Sequence, residues 1–191
     1  MSQKIWTPGY EYKEVSAKAE EYRKKYPSLR EIPIDIDSFL QFDLAIDVVP
    51  YAGLKDRVQA EAMLSLDFST IYVDNDSYKS EKQWNRLKFS LAHELGHFAL
   101  HREFFEKQNI LSEENWINFM EAIQLKYGFL ENHANWFAGA LLVPAKELLK
   151  CLKSKPLPSL PSLSRKFEVS KKVIEKRLLS EDIAPFLDFP A

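Results

Sequence analysis

The stretch R-L-K-F-S-L-A-H-E-L-G-H-F-A-L-H, from Arg86 to His101, carries two signals at once. Trp84, Leu87, Leu91, Leu95 and Phe98 recur at helical spacing. Ser80 with Gln83 matches a capping box at the head of a run free of glycine and proline, so a helix is expected from about Ser80. On that helix His93 and His97 lie one turn apart on one face, and both imidazoles can reach a single ion. Two neutral imidazoles suit zinc, and the intervening Glu94 is placed to hold and deprotonate a water on the metal. That is the machinery for attack on an amide carbonyl, with Glu94 passing the proton on to the leaving nitrogen.

A three-ligand catalytic site needs one more donor. The longer histidine motif of another zinc-peptidase class would require a histidine at position 103, which is Glu103. Downstream, L-E-N-H-A-N-W-F-A-G-A-L-L-V-P from Leu130 reads as a second helix, stopped by Pro144. Glu131 and Asn135 are four apart on one face of it, and Ala134, Ala138 and Gly139 allow close packing. Glu131 can ligate the metal while the Asn135 side chain accepts the far N–H of a ligand histidine. His133, about 200° round the helix from Glu131, is the rival third ligand or otherwise a rim residue. The competing reading of Glu131 is a solvated surface glutamate. His101 continues the four-residue series, one turn too far to share the ion, and is placed at the rim, behind a ligand or in packing. Cys151 reads as a partly buried, inert thiol.

Working outward, Glu14 to Lys25 reads as a helix with Val15, Ala19 and Tyr22 on one stripe. Asp35 or Asp37 can cap a short helix carrying Ile36, Phe39 and Leu40. F-D-L-A-I-D-V-V alternates, with Phe42, Leu44, Ile46 and Val48 on one side, and its second half at least is expected as a strand. Ala62, Leu64, Leu66 and Phe68 alternate next, and I-Y-V-D from Ile71 follows a turn, which suggests an antiparallel pair. Another helix is expected from near Ser112, broken at Gly128. After the proline-punctuated S-K-P-L-P-S-L-P-S from Ser154 comes a pair of short helical patterns split near Val169 and Ser170.

That C-terminal pair is basic: from Ala145 to Ser180 the net charge is +7, which leaves −9 on the rest of a chain whose total is −2. Leu163, Phe167 and Val169, then Val173, Ile174 and Leu178, have helix-turn-helix spacing, which would allow contact with DNA phosphates. The turn from Phe167 to Ser170 lacks the glycine often found there. A small subdomain that packs on the rest or binds protein is therefore preferred, and sequence-specific nucleic-acid recognition is not expected. With 46% hydrophobic and 28% charged residues, the composition is that of an ordinary globular chain. The division expected is a main domain over 1–150 and a linker with a helical subdomain over 151–191. A single cysteine excludes an internal disulfide. The start lacks a signal-peptide core, and the apolar run Trp136–Val143 is too short to cross a membrane, so a cytoplasmic setting is expected.

The segment from Arg86 to His101 and E-N-H-A-N-W-F-A-G-A-L-L-V-P from Glu131 together resemble the hallmarks of the ImmA/IrrE family of metallopeptidases. I-Y-V-D-N from Ile71 and L-S-R-K-F-E-V-S-K-K-V-I-E-K-R-L from Leu163 fit the same family. The resemblance implies an α+β, zincin-like fold of the gluzincin kind, with a small, mostly antiparallel sheet packed on the zinc-binding helix. It implies one Zn2+ per chain on His93, His97 and Glu131, with Glu94 as catalytic base. Members of the family typically cut a helix-turn-helix repressor, often encoded alongside, and so regulate mobile elements, stress responses or toxin–antitoxin loci. His133 departs from the acidic or other polar residue the family often has there. The other reading is a non-catalytic regulatory or DNA-binding module with a structural zinc site. The intact Glu94 favours an enzyme, because a structural site needs no general base. A zincin takes its substrate as an extended strand on a sheet edge, and I-Y-V-D is expected to be that edge.

Overall fold

The computed structural model describes residues 9–107 and 127–187, and the helix expected from Ser112 lies outside them. The first element, α1 (Tyr12–Lys25), opens on a capping box between Glu11 and Glu14 and buries Val15 and Ala19. Asp35 then accepts the Ser38 N–H and starts α2 (Ile36–Ser38), which carries on into a wide turn closed by the Leu44 N–H on the Phe39 carbonyl. This wide turn corrects the alternation expected from Phe42. Phe39 and Leu40 point inward, whereas Phe42 is 84% exposed, because the backbone is still coiled there and extends only at β1 (Asp47–Tyr51).

A glycine with φ of +70°, Gly53, lets the chain reverse into α3 (Leu54–Val58). The strands β2 (Ala62–Leu64) and β3 (Thr70–Asp74) follow. Their order in the sheet is β1-β3-β2. β2 runs antiparallel to β3, pairing Ala62 with Val73 and Leu64 with Ile71, while β1 runs parallel to it from Asp47↔Thr70 to Tyr51↔Asp74. The sheet is therefore mixed rather than mostly antiparallel, and its parallel ladder is the longer one. I-Y-V-D is the central strand, not an edge, and Ile71 and Val73 are fully buried. Leu66 and Phe68 do not extend β2. Asp67 gathers Ser65 and Ser69 into a tight turn, and Phe68, at φ +60°, folds under against Phe98 and Phe105.

Asp74 caps α4 (Asn75–Tyr78), and α5 (Trp84–Lys107) is the long helix of the fold. Its expected cap at Ser80 does not form. Residues 81–83 make a turn, and the Gln83 side chain instead accepts the Ser77 hydroxyl at 2.9 Å. One face of α5 buries Leu87, Leu91 and Leu95 completely. Beside it runs α6 (Tyr127–Leu142), which takes Gly128 into its first turn and packs between α5 and α1. A short α7 (Ala145–Leu152), which the sequence reading leaves out, carries the buried Cys151 and spans position 151.

The closing pair, α8 (Leu160–Phe167) and α9 (Lys171–Leu178), is capped by Ser159 and Ser170 and splits where the sequence pattern does. Two buried cations fasten it. Lys88 of α5, 1% exposed, reaches Glu168 at 2.8 Å, and Glu168 holds the left-handed turn where a glycine would be usual. Arg177, 3% exposed, donates to the Val143 carbonyl at 2.9 Å, to Asp182 at 2.8 Å and to Tyr12. Burial alone would raise the Asp182 carboxyl, but the Arg177 guanidinium overrides this and holds it down to about 2.

Candidate metal centre

The helical arithmetic of α5 puts His93 and His97 on the face that looks away from its buried leucines, toward α6 and the outer side of β2. Their Nε2 atoms are 3.1 Å apart. Glu131, in the second turn of α6, sets one carboxylate oxygen 3.2 Å from His93 Nε2 and the other 3.2 Å from His97 Nε2. Donors bound at 2.0–2.1 Å in a tetrahedron lie about 3.3 Å from one another, so each of these separations is of the size that shared ligation of one ion requires. Among the described residues this is the cluster of His, Cys, Asp and Glu whose donors could hold a metal ion. Two imidazoles and one carboxylate, with a side left open, are a donor set that suits a catalytic divalent ion. Burial would raise the Glu131 carboxyl, yet hydrogen bonds from both histidines hold it well below the usual carboxylate range.

Gly96, between the two histidines, is what allows α6 to come so near. A Cβ built there would stand 2.9 Å from the Ala134 Cα and 3.0 Å from its carbonyl oxygen. Those are backbone atoms and cannot rotate away, so Gly96→Ala should force the helices apart. We expect it to destabilise the fold by about 1–3 kcal/mol and to weaken metal binding as well, because His97 and Glu131 flank the contact. Urea melts and a chelator competition check this. A Gly96→Ala protein as stable as the parent would mean that the helices do not approach this closely.

Each ring is oriented from behind. Asn135 Oδ1 lies 3.2 Å from His93 Nδ1 and so accepts its N–H when Nε2 turns a lone pair to the ion. For His97 the partner is His101, with 3.0 Å between the two Nδ1 atoms. His97 must then donate and His101 accept, which leaves the proton of His101 on Nε2, directed at His133 Nδ1 3.4 Å away. Burial first, then the neighbouring His97 and His133, push His101 down to about 2, so it stays neutral and able to accept. Neither His101 nor His133 is a rim residue: they are 0% and 1% exposed. The His133 ring faces His101, Tyr10 and Trp136 rather than the donor triangle, which goes against its candidacy as third ligand. The i, i+4 spacing of His97 and His101 carried the signal for this support, but only tertiary packing reveals which side of the ligand it backs.

Glu94 is not one of the three converging donors. It accepts the Leu64 N–H at 3.0 Å, and burial raises its pKa. This bond shows which sheet edge meets the site: it is the outer side of β2. A cavity of about 510 Å³ opens there, between β2 and the α5 face that bears Phe89, His93, Glu94 and His97, with Glu131 across from it.

The family model described as the IrrE N-terminal-like domain, Peptidase_M78, matches residues 77–179, which holds both helices of this centre. The chain belongs to this family. No curated protein matches it. Among solved structures, a Mycobacterium tuberculosis transcriptional regulator is similar over 88% of this chain at 19% identity, with a TM-score of 0.57. The match takes in 47% of that protein, so this chain spans about half the length of the relative, and the likeness is one of fold. Among the described residues no helix is long and apolar enough to cross a membrane.

Proposed function

We propose that this chain is a zinc-dependent endopeptidase that makes limited cuts in a partner protein, a helix-turn-helix repressor. One observation carries the reading. A facial His-His-Glu triangle stands beside a buried carboxylate that is not part of it, at the wall of a cavity and against the outer edge of β2. His93, His97 and Glu131 would hold the zinc, which when bound supplies a Lewis acid and activates water. Glu94, made more basic than a surface glutamate by burial, takes the proton of the attacking water and delivers it to the departing amine. Asn135 and His101 keep the two imidazoles in one tautomer and one orientation. The outer edge of β2 takes the substrate backbone as an added strand, so a folded partner must offer a loop or linker that can extend.

The repressor as substrate, anti-repressor or toxin–antitoxin control and a cytoplasmic setting come from family membership and from the sequence, and they belong to this proposal. The test is to incubate the zinc-loaded chain with casein and with the helix-turn-helix product of the neighbouring gene. A single cut in the repressor and slow loss of casein are expected. Rapid casein digestion would refute the selectivity, and an untouched, unbound repressor would remove the partner.

The second reading, a regulator without catalysis, draws on the mycobacterial relative, a transcriptional regulator, and on the basic C-terminal pair. One of that pair's own cations, Arg177, is buried in an ion pair with Asp182. Any hold on duplex DNA would then rest on the exposed lysines and fall steeply with salt.

A further inference from the structure

The catalytic cavity does not end at the N-terminal side of His93. Arg86, Phe89, Ser90 and Asn135 line it and also line a second hollow of about 820 Å³, roofed by α9. The far wall of this hollow presents Lys172 and Lys176, both exposed. Four residues apart on one helix they repel each other, and among the described residues neither is in an ion pair. At the junction stands Arg86, its side chain 69% exposed, pinned 2.9 Å from the buried Glu61. Glu61 also takes Lys55 at 3.1 Å, so its single charge is shared between two cations. Of the described residues lining the second hollow, Glu181 is the one carboxylate, and Arg177 there is neutralised by Asp182. The hollow is therefore a cationic recess in a chain whose residues outside 145–180 carry −9.

Helix geometry gives the distance to the reacting centre. Arg86 precedes His93 by seven residues on the same face, about 10.5 Å along the axis. An extended chain covers that in about three residues.

We propose that this recess is a specificity subsite. It takes an acidic side chain of the substrate about three residues from the scissile bond, on the side toward the N-terminus of α5, and meets its carboxylate with Lys172, Lys176 and Arg86. The inference rests on the peptidase reading and narrows its substrate class. The shared wall with the catalytic cavity and the apolar lining by Phe89, Trp136 and Val173 favour a peptide over a nucleic acid. The acidic body of the protein would turn away an acidic segment elsewhere and steer it to this corner.

The zinc-loaded full chain is tested on degenerate dodecapeptides in which a single position is fixed as Glu, Gln or Lys. Glu should be preferred over Lys by about tenfold in kcat/KM, since half-exposed pairs give modest energies and the exchange replaces attraction by repulsion. Because both side chains are exposed, Lys172→Glu/Lys176→Glu should keep the melting temperature, and it should invert the preference to Lys over Glu. Binding of the same peptides to the Glu94→Gln protein, read by fluorescence anisotropy, separates this proposal from the one beneath it. If nothing is cleaved yet Glu peptides bind more tightly and the double variant inverts the order, the peptidase reading fails and the subsite stands. Cleavage or binding indifferent to the fixed charge overturns the subsite. So does a preference that the double variant leaves unchanged, or a duplex oligonucleotide that displaces the Glu peptide at physiological salt.

Discussion

Glu94→Gln protein retains one metal ion per chain and loses cleavage. Glutamine keeps the size of the side chain and an oxygen that can accept the Leu64 N–H, so β2 and α5 should stay joined as they are through the 3.0 Å bond. What it removes is the ability to take up a proton, and a positioned general base contributes about 10²–10⁴ in rate. Glu94 stands outside the triangle of His93, His97 and Glu131, so its charge is not needed to hold the ion. Metal analysis of the purified variant beside a cleavage assay measures both halves, and zinc lost from the variant would show that Glu94 is a ligand. The raised pKa adds a sign. A carboxyl pushed up by burial contributes stability below the usual glutamate range and loses it as pH rises through the folded value. Glutamine does not titrate and carries no such cost at neutral pH, so the chelator-treated variant should melt at or above the parent.

Much of this centre can be read from the chain because it is made of two helices. Once Leu87, Leu91 and Leu95 fix the inner face of α5, the four-residue step fixes His93 and His97 together, and the same step on α6 joins Glu131 to Asn135. No long-range information is needed until the two helices meet, and there Gly96 opposite Ala134 sets the distance. The sheet is different. Strands of five, three and five residues have too little pattern to declare their neighbours. The parallel pairing of β1 with β3 depends on where α3 and the Asp67 turn send the chain. Hence I-Y-V-D reads as an edge and proves to be the centre. Phe42 fails for a related reason: a wide helical turn and a strand both alternate a few apolar side chains before their dihedrals diverge. His101 and His133 are polar by type, and their burial comes from Tyr10, Trp136 and each other, brought together from three elements.

Glu131→Ala should weaken zinc binding by orders of magnitude, whereas His133→Ala should leave it nearly unchanged. Glu131 alone among the residues of α6 brings oxygens to 3.2 Å from both histidine Nε2 atoms, and no other described carboxylate converges there. Without it the ion keeps two nitrogens and water, and the two imidazoles lose the charge that stabilises them around a cation. His133 touches no donor atom of the triangle. Its influence passes through His101 to His97, and the first of those links, at 3.4 Å, is the weaker. Residues that only steer a ligand are worth about 10–100-fold in metal affinity, so Asn135→Ala and His101→Ala should fall between the extremes. His101→Gln separates steering from packing, since a glutamine oxygen can still accept the His97 N–H: it should recover part of the affinity that alanine loses. Competition with a chromogenic chelator ranks all five proteins in one experiment. A larger loss for His133→Ala than for Glu131→Ala would place the third ligand on the wrong side of α6 and overturn the facial triangle on which the peptidase reading stands.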